Sequence, residues 1–144
     1  MLQHAPMYSY IPAQDVDRAR RFYEEKVGLE AALEVAGGVV YEFAKGTACF
    51  LYQSPNAGTS KASQAFWEVE DIEREVAELR QRGIEFERYE GMPDVDANGI
   101  STEGGARAAW FKDSEGNTMA LIQTLDTPRP ARKTPRETPR GGAT

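Results

Sequence analysis

The chain has 144 residues, 40% of them hydrophobic and 28% charged, with a net charge of −6. That is one domain's worth of chain with enough apolar residues for one core. No apolar run approaches the ~20 residues a membrane helix needs, and the lone Cys49 rules out an intramolecular disulfide. The opening Met1-Leu-Gln-His-Ala-Pro6 has neither the basic nor the apolar region of a secretion signal, so a reducing, cytoplasmic setting is expected. The charge is uneven. Residues 127–144 carry Arg129, Arg132, Lys133, Arg136 and Arg140 against Glu137, a net +4, which leaves −10 for the rest. An acidic body argues against nucleic acid as a partner and favours cationic ligands.

In chain order, Met7–Pro12 reads as a first strand. Asp15 is the expected N-cap of a helix running to about Val27, with Gly28 at its C-terminal cap. Strands are expected at Ala31–Val35, Val39–Ala44 and Ala48–Gln53, with Gly37-Gly38 at a hairpin turn. Ser54–Lys61 reads as a polar connector. A new strand begins near Ala65, then Asp71 caps a helix to about Arg82, closed by Gly83. Strands are expected at Ile84–Arg88, Ala106–Lys112 and Thr118–Thr124, the last two joined by the turn Asp113–Asn117. Between them Glu90–Gly105 reads as a long loop, a length that in compact domains often marks a lid or binding loop. Its Asp94-Val-Asp-Ala-Asn-Gly99 opens like an EF-hand, but position twelve is Gly105 and strands flank it, so an acidic turn is expected. Residues 127–144, rich in Pro, Arg, Gly and Thr and nearly free of large apolar side chains, read as a disordered basic tail with repeated Thr-Pro-Arg triplets.

The chain repeats itself. MYSYIPAQDVDRARRFYEEKVGLE from Met7 parallels SQAFWEVEDIEREVAELRQRGIEFE from Ser63, and TACFLYQS from Thr47 parallels TMALIQT from Thr118. Each half reads as β-α-β-β-β. The expectation is one α+β domain over 1–126, with modules at about 7–54 and 63–125.

The run Asp15…Arg18-Ala-Arg-Arg-Phe-Tyr23…Gly28-Leu29 and the closing Ala109-Trp-Phe-Lys-Asp-Ser-Glu-Gly-Asn117 resemble signatures of the vicinal oxygen chelate superfamily, which includes glyoxalases, bleomycin-resistance proteins and dioxygenases. The resemblance spans residues 7–124. It implies two βαβββ modules forming a curved mixed sheet around a cavity, with helices on the outer face. It leaves the function open, since members include isomerases, ring-cleaving dioxygenases and non-catalytic drug binders.

Metal-dependent members place His and Glu ligands on four strands. Counting from Asp15 and Asp71, those positions fall here on Tyr8, Phe50, Gln64 and Ala120. None is a His or a carboxylate, so no metal or other cofactor is implied. His4 lies upstream of the first strand, outside this set.

Strand side chains alternate faces. If those four positions face inward, Tyr8, Tyr10, Phe50, Tyr52, Gln64, Phe66, Glu68 and Ile122 line the cavity, joined by Glu42 and Trp110. Ile11, Cys49, Leu51, Trp67, Val69, Met119 and Leu121 would then pack under the helices, with Cys49 a structural thiol. An aromatic cavity with one or two carboxylates suits a flat or cationic compound, and Arg107 is a candidate internal partner for Glu68. The expected function is metal-independent small-molecule binding of the bleomycin-resistance type, sequestering a cationic or aromatic compound. The alternative is a lyase, isomerase or dioxygenase-like enzyme with an atypical site using Glu68 with Tyr8 or Glu42. The expected assembly is a homodimer, because a small sheet leaves edges and an open mouth to cover.

Overall fold

The computed structural model describes residues 1–125 and Ala131, so the expected tail at 127–144 lies, but for Ala131, outside the described residues. Two βαβββ modules follow one another. The first holds β1 (Ser9–Ala13), α1 (Val16–Arg21), β2 (Ala31–Val35), β3 (Gly38–Glu42) and β4 (Ala48–Gln53). The second holds β5 (Ser63–Glu68), α2 (Ile72–Gln81), β6 (Ser101–Glu103), β7 (Ala106–Lys112) and β8 (Thr118–Thr124). Each module forms a four-stranded mixed sheet, ordered β1-β4-β3-β2 and β5-β8-β7-β6. The first strand of each is parallel to the last and the remaining pairs are antiparallel. The sequence repeat is therefore a repeat of topology.

Both helix starts follow the expected capping chemistry. The Asp15 carboxylate accepts the Arg18 backbone N–H at 3.0 Å, and Asp71 accepts that of Arg74 at 3.1 Å. The first helix does reach the Val27 cap, but its hydrogen bonding changes on the way. After Arg21 it widens into a π-helical turn over Phe22–Lys26, closed by Val27 N–H donating to the Phe22 carbonyl.

Two expected strands are corrected. The first strand begins at Ser9, so Met7 and Tyr8 precede the ladder. Ile84–Arg88 is not a strand; it runs beside β7 with one isolated bridge, Phe86 to Phe111, and one bond from Glu87 N–H to the Trp110 carbonyl at 2.7 Å. Its apolar alternation reflects Ile84 and Phe86 turning into the core, which needs no ladder. The edge of the sheet is instead β6, inside the segment expected to be loop. Its Ser-Thr-Glu sequence carries no apolar pattern to announce a strand.

The core is one cluster drawn from both modules: Ile11, Tyr23, Tyr41 and Leu51 of the first with Ile72, Val76, Phe111 and Leu121 of the second. Phe22 lies 6.3 Å from Phe111 between ring centroids, and Trp67 lies 6.0 Å from Phe43 and 6.2 Å from Phe111. The seven residues expected under the helices take that side, with Ile11, Cys49, Leu51, Met119 and Leu121 buried and Trp67 and Val69 half-buried.

Polar groups fasten the modules at one place, the β7–β8 turn. The Asp113 carboxylate is buried and accepts four hydrogen bonds: from Tyr23 Oη at 2.6 Å, from the Glu115 and Asn117 backbone N–H groups, and from Asn117 Nδ2. Asn117 Nδ2 also donates to the Pro12 carbonyl at 2.7 Å, and its Oδ1 accepts Gly58 N–H at 3.1 Å. The Glu115 carboxylate takes a two-pronged ion pair from Arg18 at 2.7 and 2.8 Å and the Asp15 backbone N–H at 3.0 Å. The connector takes part as well. Gly58 has φ +74°, and a Cβ there would sit 2.5 Å from the Glu115 carbonyl oxygen, so only glycine lets the two backbones meet.

The Glu115–Arg18 pair predicts an acid dependence. The Arg18 guanidinium outweighs the opposing effect of burial and holds the Glu115 carboxyl down to about 2. An unfolded Glu titrates near ~4.3. The carboxyl is depressed in the folded state, so its stabilisation is complete above that value and is lost as pH falls through it towards 2. Arg18→Met should lower stability at neutral pH, because it leaves the buried Glu115 carboxylate without its cation, and flatten the stability profile between about pH 4.5 and 2, read by urea unfolding across pH. An acid profile parallel to the wild type's would refute this role for the pair.

Candidate functional site

The ladder registers assign each strand residue to a face. Tyr10 pairs with Phe50, and Phe50 with Val40; Phe66 pairs with Ala120, and Ala120 with Trp110; Glu68 pairs with Ile122. Partners across a ladder share a face. Because Leu51, Met119 and Leu121 take the helix side, these residues take the opposite, open side, together with Tyr52 and Glu42.

This face is not closed over by the rest of the chain. Tyr10 and Phe66 are each 60% exposed and Tyr8, just before the strand, is 58% exposed. Phe50, Tyr52, Gln64, Trp110 and Ile122 are half-buried, and Glu42 and Glu68 are exposed. On the first module three rings form a group: Tyr10 sits 4.8 Å from Tyr52 and 6.0 Å from Phe50, edge to face, while Phe50 and Tyr52 are stacked with planes 11° apart. On the second module the corresponding place carries Phe66 and Trp110 flanking the small, buried Ala120. Gln64 bridges the modules, its Nε2 donating to the Tyr10 carbonyl at 2.7 Å. That contact sets edge strands β1 and β5 side by side, so the two aromatic groups adjoin.

A divalent ion does not fit this donor set. Phe50 and Ala120 offer no ligand atom, the Gln64 amide is engaged with Tyr10, and Tyr8 lies outside the strand. Among the described residues no three His, Cys, Asp or Glu side chains converge. In the loop, the Asp96 carboxylate accepts its own segment's Asn98 and Ile100 N–H groups, the geometry of a self-bonded acidic turn. Cys49 is buried, which pushes its thiol up to about 11, far from a thiolate nucleophile at neutral pH.

The expected internal partner for Glu68 is corrected. Arg107 donates to Glu73 at 2.8 Å, on the helix side, because it pairs with Gln123, whose Oε1 caps the Ile72 N–H of α2. Glu68 and Glu42 take part in no ion pair among the described residues. Sequence reasoning also missed Leu33 and Val35 of β2. They share the open face with Val40 and Gly38 and are largely exposed. The register shift near Ala31–Leu33, which no residue pattern announces, put them there. Two surface grooves lie elsewhere, one of about 480 Å³ between α2 and the 90–105 loop, lined by Arg80, Phe86, Arg88 and Asn98, and one along α1.

Two similar βαβββ units set edge to edge, with helices on one side and open sheet faces on the other, define the class of domain. The chain belongs to the Glyoxalase/Bleomycin resistance protein/Dioxygenase superfamily, whose sequence profile matches residues 3–121. Among solved structures it is similar to UcmS2 (20% identity, TM-score 0.65, covering 81% of this chain and 96% of that one). It is similar to TnmS3, an antibiotic binding protein from Streptomyces sp. CB03234 (21% identity, TM-score 0.64, covering 86% and 98%). A glyoxalase/bleomycin resistance protein/dioxygenase from Alicyclobacillus acidocaldarius is comparable (20% identity, TM-score 0.63, covering 85% and 93%). At these identities the likeness is one of fold. No curated protein matches the chain.

The two sides of the sheets should respond differently to truncation. Phe66→Ala on the open face should change stability by less than about 1 kcal/mol, whereas Phe111→Ala in the core should cost about 3–5 kcal/mol. Urea unfolding of both variants checks this; equal losses would mean that the open face is part of the core.

Proposed function

We propose that the protein binds a flat, cationic organic compound on the open face, without a metal. The observation that carries this reading is the gathering on one open face of five aromatic rings, Tyr10 and Phe66 exposed and Phe50, Tyr52 and Trp110 half-buried, with the Glu68 carboxylate, which forms no ion pair among the described residues. Exposed rings lose water readily to a stacked ligand, and a carboxylate at their margin selects positive charge. The acidic body attracts the same ligands at long range. The likeness to TnmS3, an antibiotic binding protein, supports this reading. The enzymatic reading has less support, because acid–base catalysis needs two positioned titratable groups. Tyr8 and Glu42 are both exposed and no hydrogen bond holds either beside Glu68.

The open face also favours self-association, and we propose a homodimer in which a second copy narrows the face into a cleft. Light scattering at micromolar concentration should give twice the 16.0 kDa chain mass; a monomer would overturn this part.

Ligand binding is tested with ethidium as the cationic probe and phenanthridine as its neutral counterpart, by calorimetry in the presence of EDTA. Ethidium should bind more tightly. Glu68→Gln should weaken it by about 1–3 kcal/mol, and Trp110→Ala should weaken both probes through lost stacking. Glu42→Gln should have little effect. Equal affinity for the two probes, or binding abolished by EDTA, would refute the reading.

A further inference from the structure

We propose that the groove between α2 and the 90–105 loop is a second binding site, one that takes a small organic oxyanion: a carboxylate or phosphate carried on an apolar body. None of the residues lining it belongs to the open sheet face, so the proposal does not depend on how that face is used.

The first argument is how the loop holds two arginines. The turn over Asp96–Ile100 is closed by Asp96 N–H donating to the Ile100 carbonyl at 2.9 Å and by Gly99 N–H donating to the Asp96 carbonyl at 3.2 Å. The Asp96 carboxylate is spent inside this turn, on the Asn98 and Ile100 N–H groups. What the turn offers the arginines is therefore neutral. The Asn98 side-chain oxygen accepts from Arg80 of α2, and the Asp96 carbonyl accepts from Arg88. Both guanidinium groups are positioned without being neutralised. Neither forms an ion pair among the described residues, whereas Arg18, Arg20, Arg82 and Arg107 are each matched by a carboxylate. A guanidinium is a fork of several N–H donors, and the loop engages each of these two through a single Nη atom. The remaining donors are left to solvent or to a ligand.

The second argument is what lies between the two charges. Arg80, Arg88 and Asn98 line one groove of about 480 Å³ together with Ile84 and Phe86. Ile84 is buried and Phe86 half-buried, so the groove ends on apolar carbon. Gly99, at φ +88°, lets the loop lie against Phe86; a Cβ there would stand 3.1 Å from the Phe86 Cβ. Two forked cations above an apolar floor suit a planar oxyanion joined to a ring or alkyl group. Charge elsewhere limits the attraction. Residues 1–126 carry a net −10, and Glu85 also lines the groove. Screening confines the effect of distant charges to about 8 Å at physiological salt, so selection rests on the arginines in direct contact, with Glu85 as the competing charge.

The test is a backbone amide NMR titration of the full chain at physiological salt. The probes are phenyl phosphate and benzoate, with phenol as the uncharged control and inorganic phosphate as the control without an apolar body. At least one of the two aromatic anions should shift the Ile84, Glu85, Asn98 and Gly99 amides, and the tighter of the two identifies the headgroup. Phenol and inorganic phosphate should leave those amides in place at the same concentration. Arg80→Gln and Arg88→Gln should each weaken the anion about 10-fold, as expected for loss of a charged hydrogen bond. Arg80→Lys, which keeps the charge and loses the fork, should fall between, and Glu85→Gln should tighten binding. Absence of shifts with both aromatic anions on the wild type overturns the proposal and leaves the arginines as tethers of the loop. Equal shifts with inorganic phosphate also overturn it, as general attraction of anions to surface charge. Unchanged affinity in the double variant Arg80→Gln/Arg88→Gln does the same. The wild-type titration decides the matter even where a variant loosens the loop, which the Ser101 and Thr102 amides of β6 would report.

Discussion

The turn between β7 and β8 is the constraint on which the rest of the structure depends. A five-residue turn belonging to the second module ends up holding the first module's strand, helix and outgoing connector. The Asp113 carboxyl is buried, a placement that would be costly were its oxygens not supplied with donors. Tyr23 supplies one from α1's widened continuation, and the turn's own backbone and Asn117 supply the others. Glu115, equally buried, is matched by Arg18. No buried side-chain polar atom among the described residues is left without a partner. Without the first module Asp113 would lose its Tyr23 donor, Glu115 its bonds from Arg18 and Asp15, and Asn117 its bonds to Pro12 and Gly58. The latch therefore makes two sequence-similar units fold as one body, and it fixes the edge-to-edge placement of β1 and β5.

That placement explains why the open face is continuous. The latch grips Pro12, at the far end of β1, and Gln64 bonds Tyr10 in the middle of the same strand. Pinned at two points, β1 cannot slide along β5, so the Tyr10–Phe50–Tyr52 group stays level with Phe66 and Trp110. In the family's metal-binding members the position of Gln64 would be that of a ligand. Here its amide spans the seam as a strut. A side chain that donates to a neighbouring strand's carbonyl is spent on architecture.

How much of this was legible in the sequence follows from which physical signal each residue carried. Helix caps were legible because Asp15 and Asp71 act locally, on a backbone N–H three residues away. The division of strand residues between helix side and open side was legible because alternation is strict and one side is apolar. The strand at 84–88 failed because alternation reports packing, and Ile84, buried, and Phe86, half-buried, meet the core without a ladder. Edge strand β6 was invisible because Ser, Thr and Glu show no apolar alternation, even though Ser101 is buried. The latch was only half visible. Asp113–Asn117 reads as a turn, but nothing local says that Tyr23, ninety residues away, supplies the proton Asp113 requires. Arg107 shows the same limit: its charge suggested a partner for Glu68, while its register placed it on the other face with Glu73.

The energetic division of labour between the two faces bears on function. On the helix side, Leu51, Phe111 and Met119 are fully committed to packing, and their replacement would trade directly against stability. The open side carries rings of similar size whose removal leaves the core intact. Exposed aromatic area of this kind raises the free energy of the isolated chain relative to a state in which it is covered, by about 25 cal/mol for each Å² removed from water. Covering that face is therefore favoured, in line with the proposed ligand or second copy. Glu68 sits level with Ile122 on the strand next to β8, two residues beyond Phe66 on the same face. In the proposed binding mode, charge and an aromatic surface would meet the ligand on one face, set by the same register that keeps Glu68 and Phe66 out of the core.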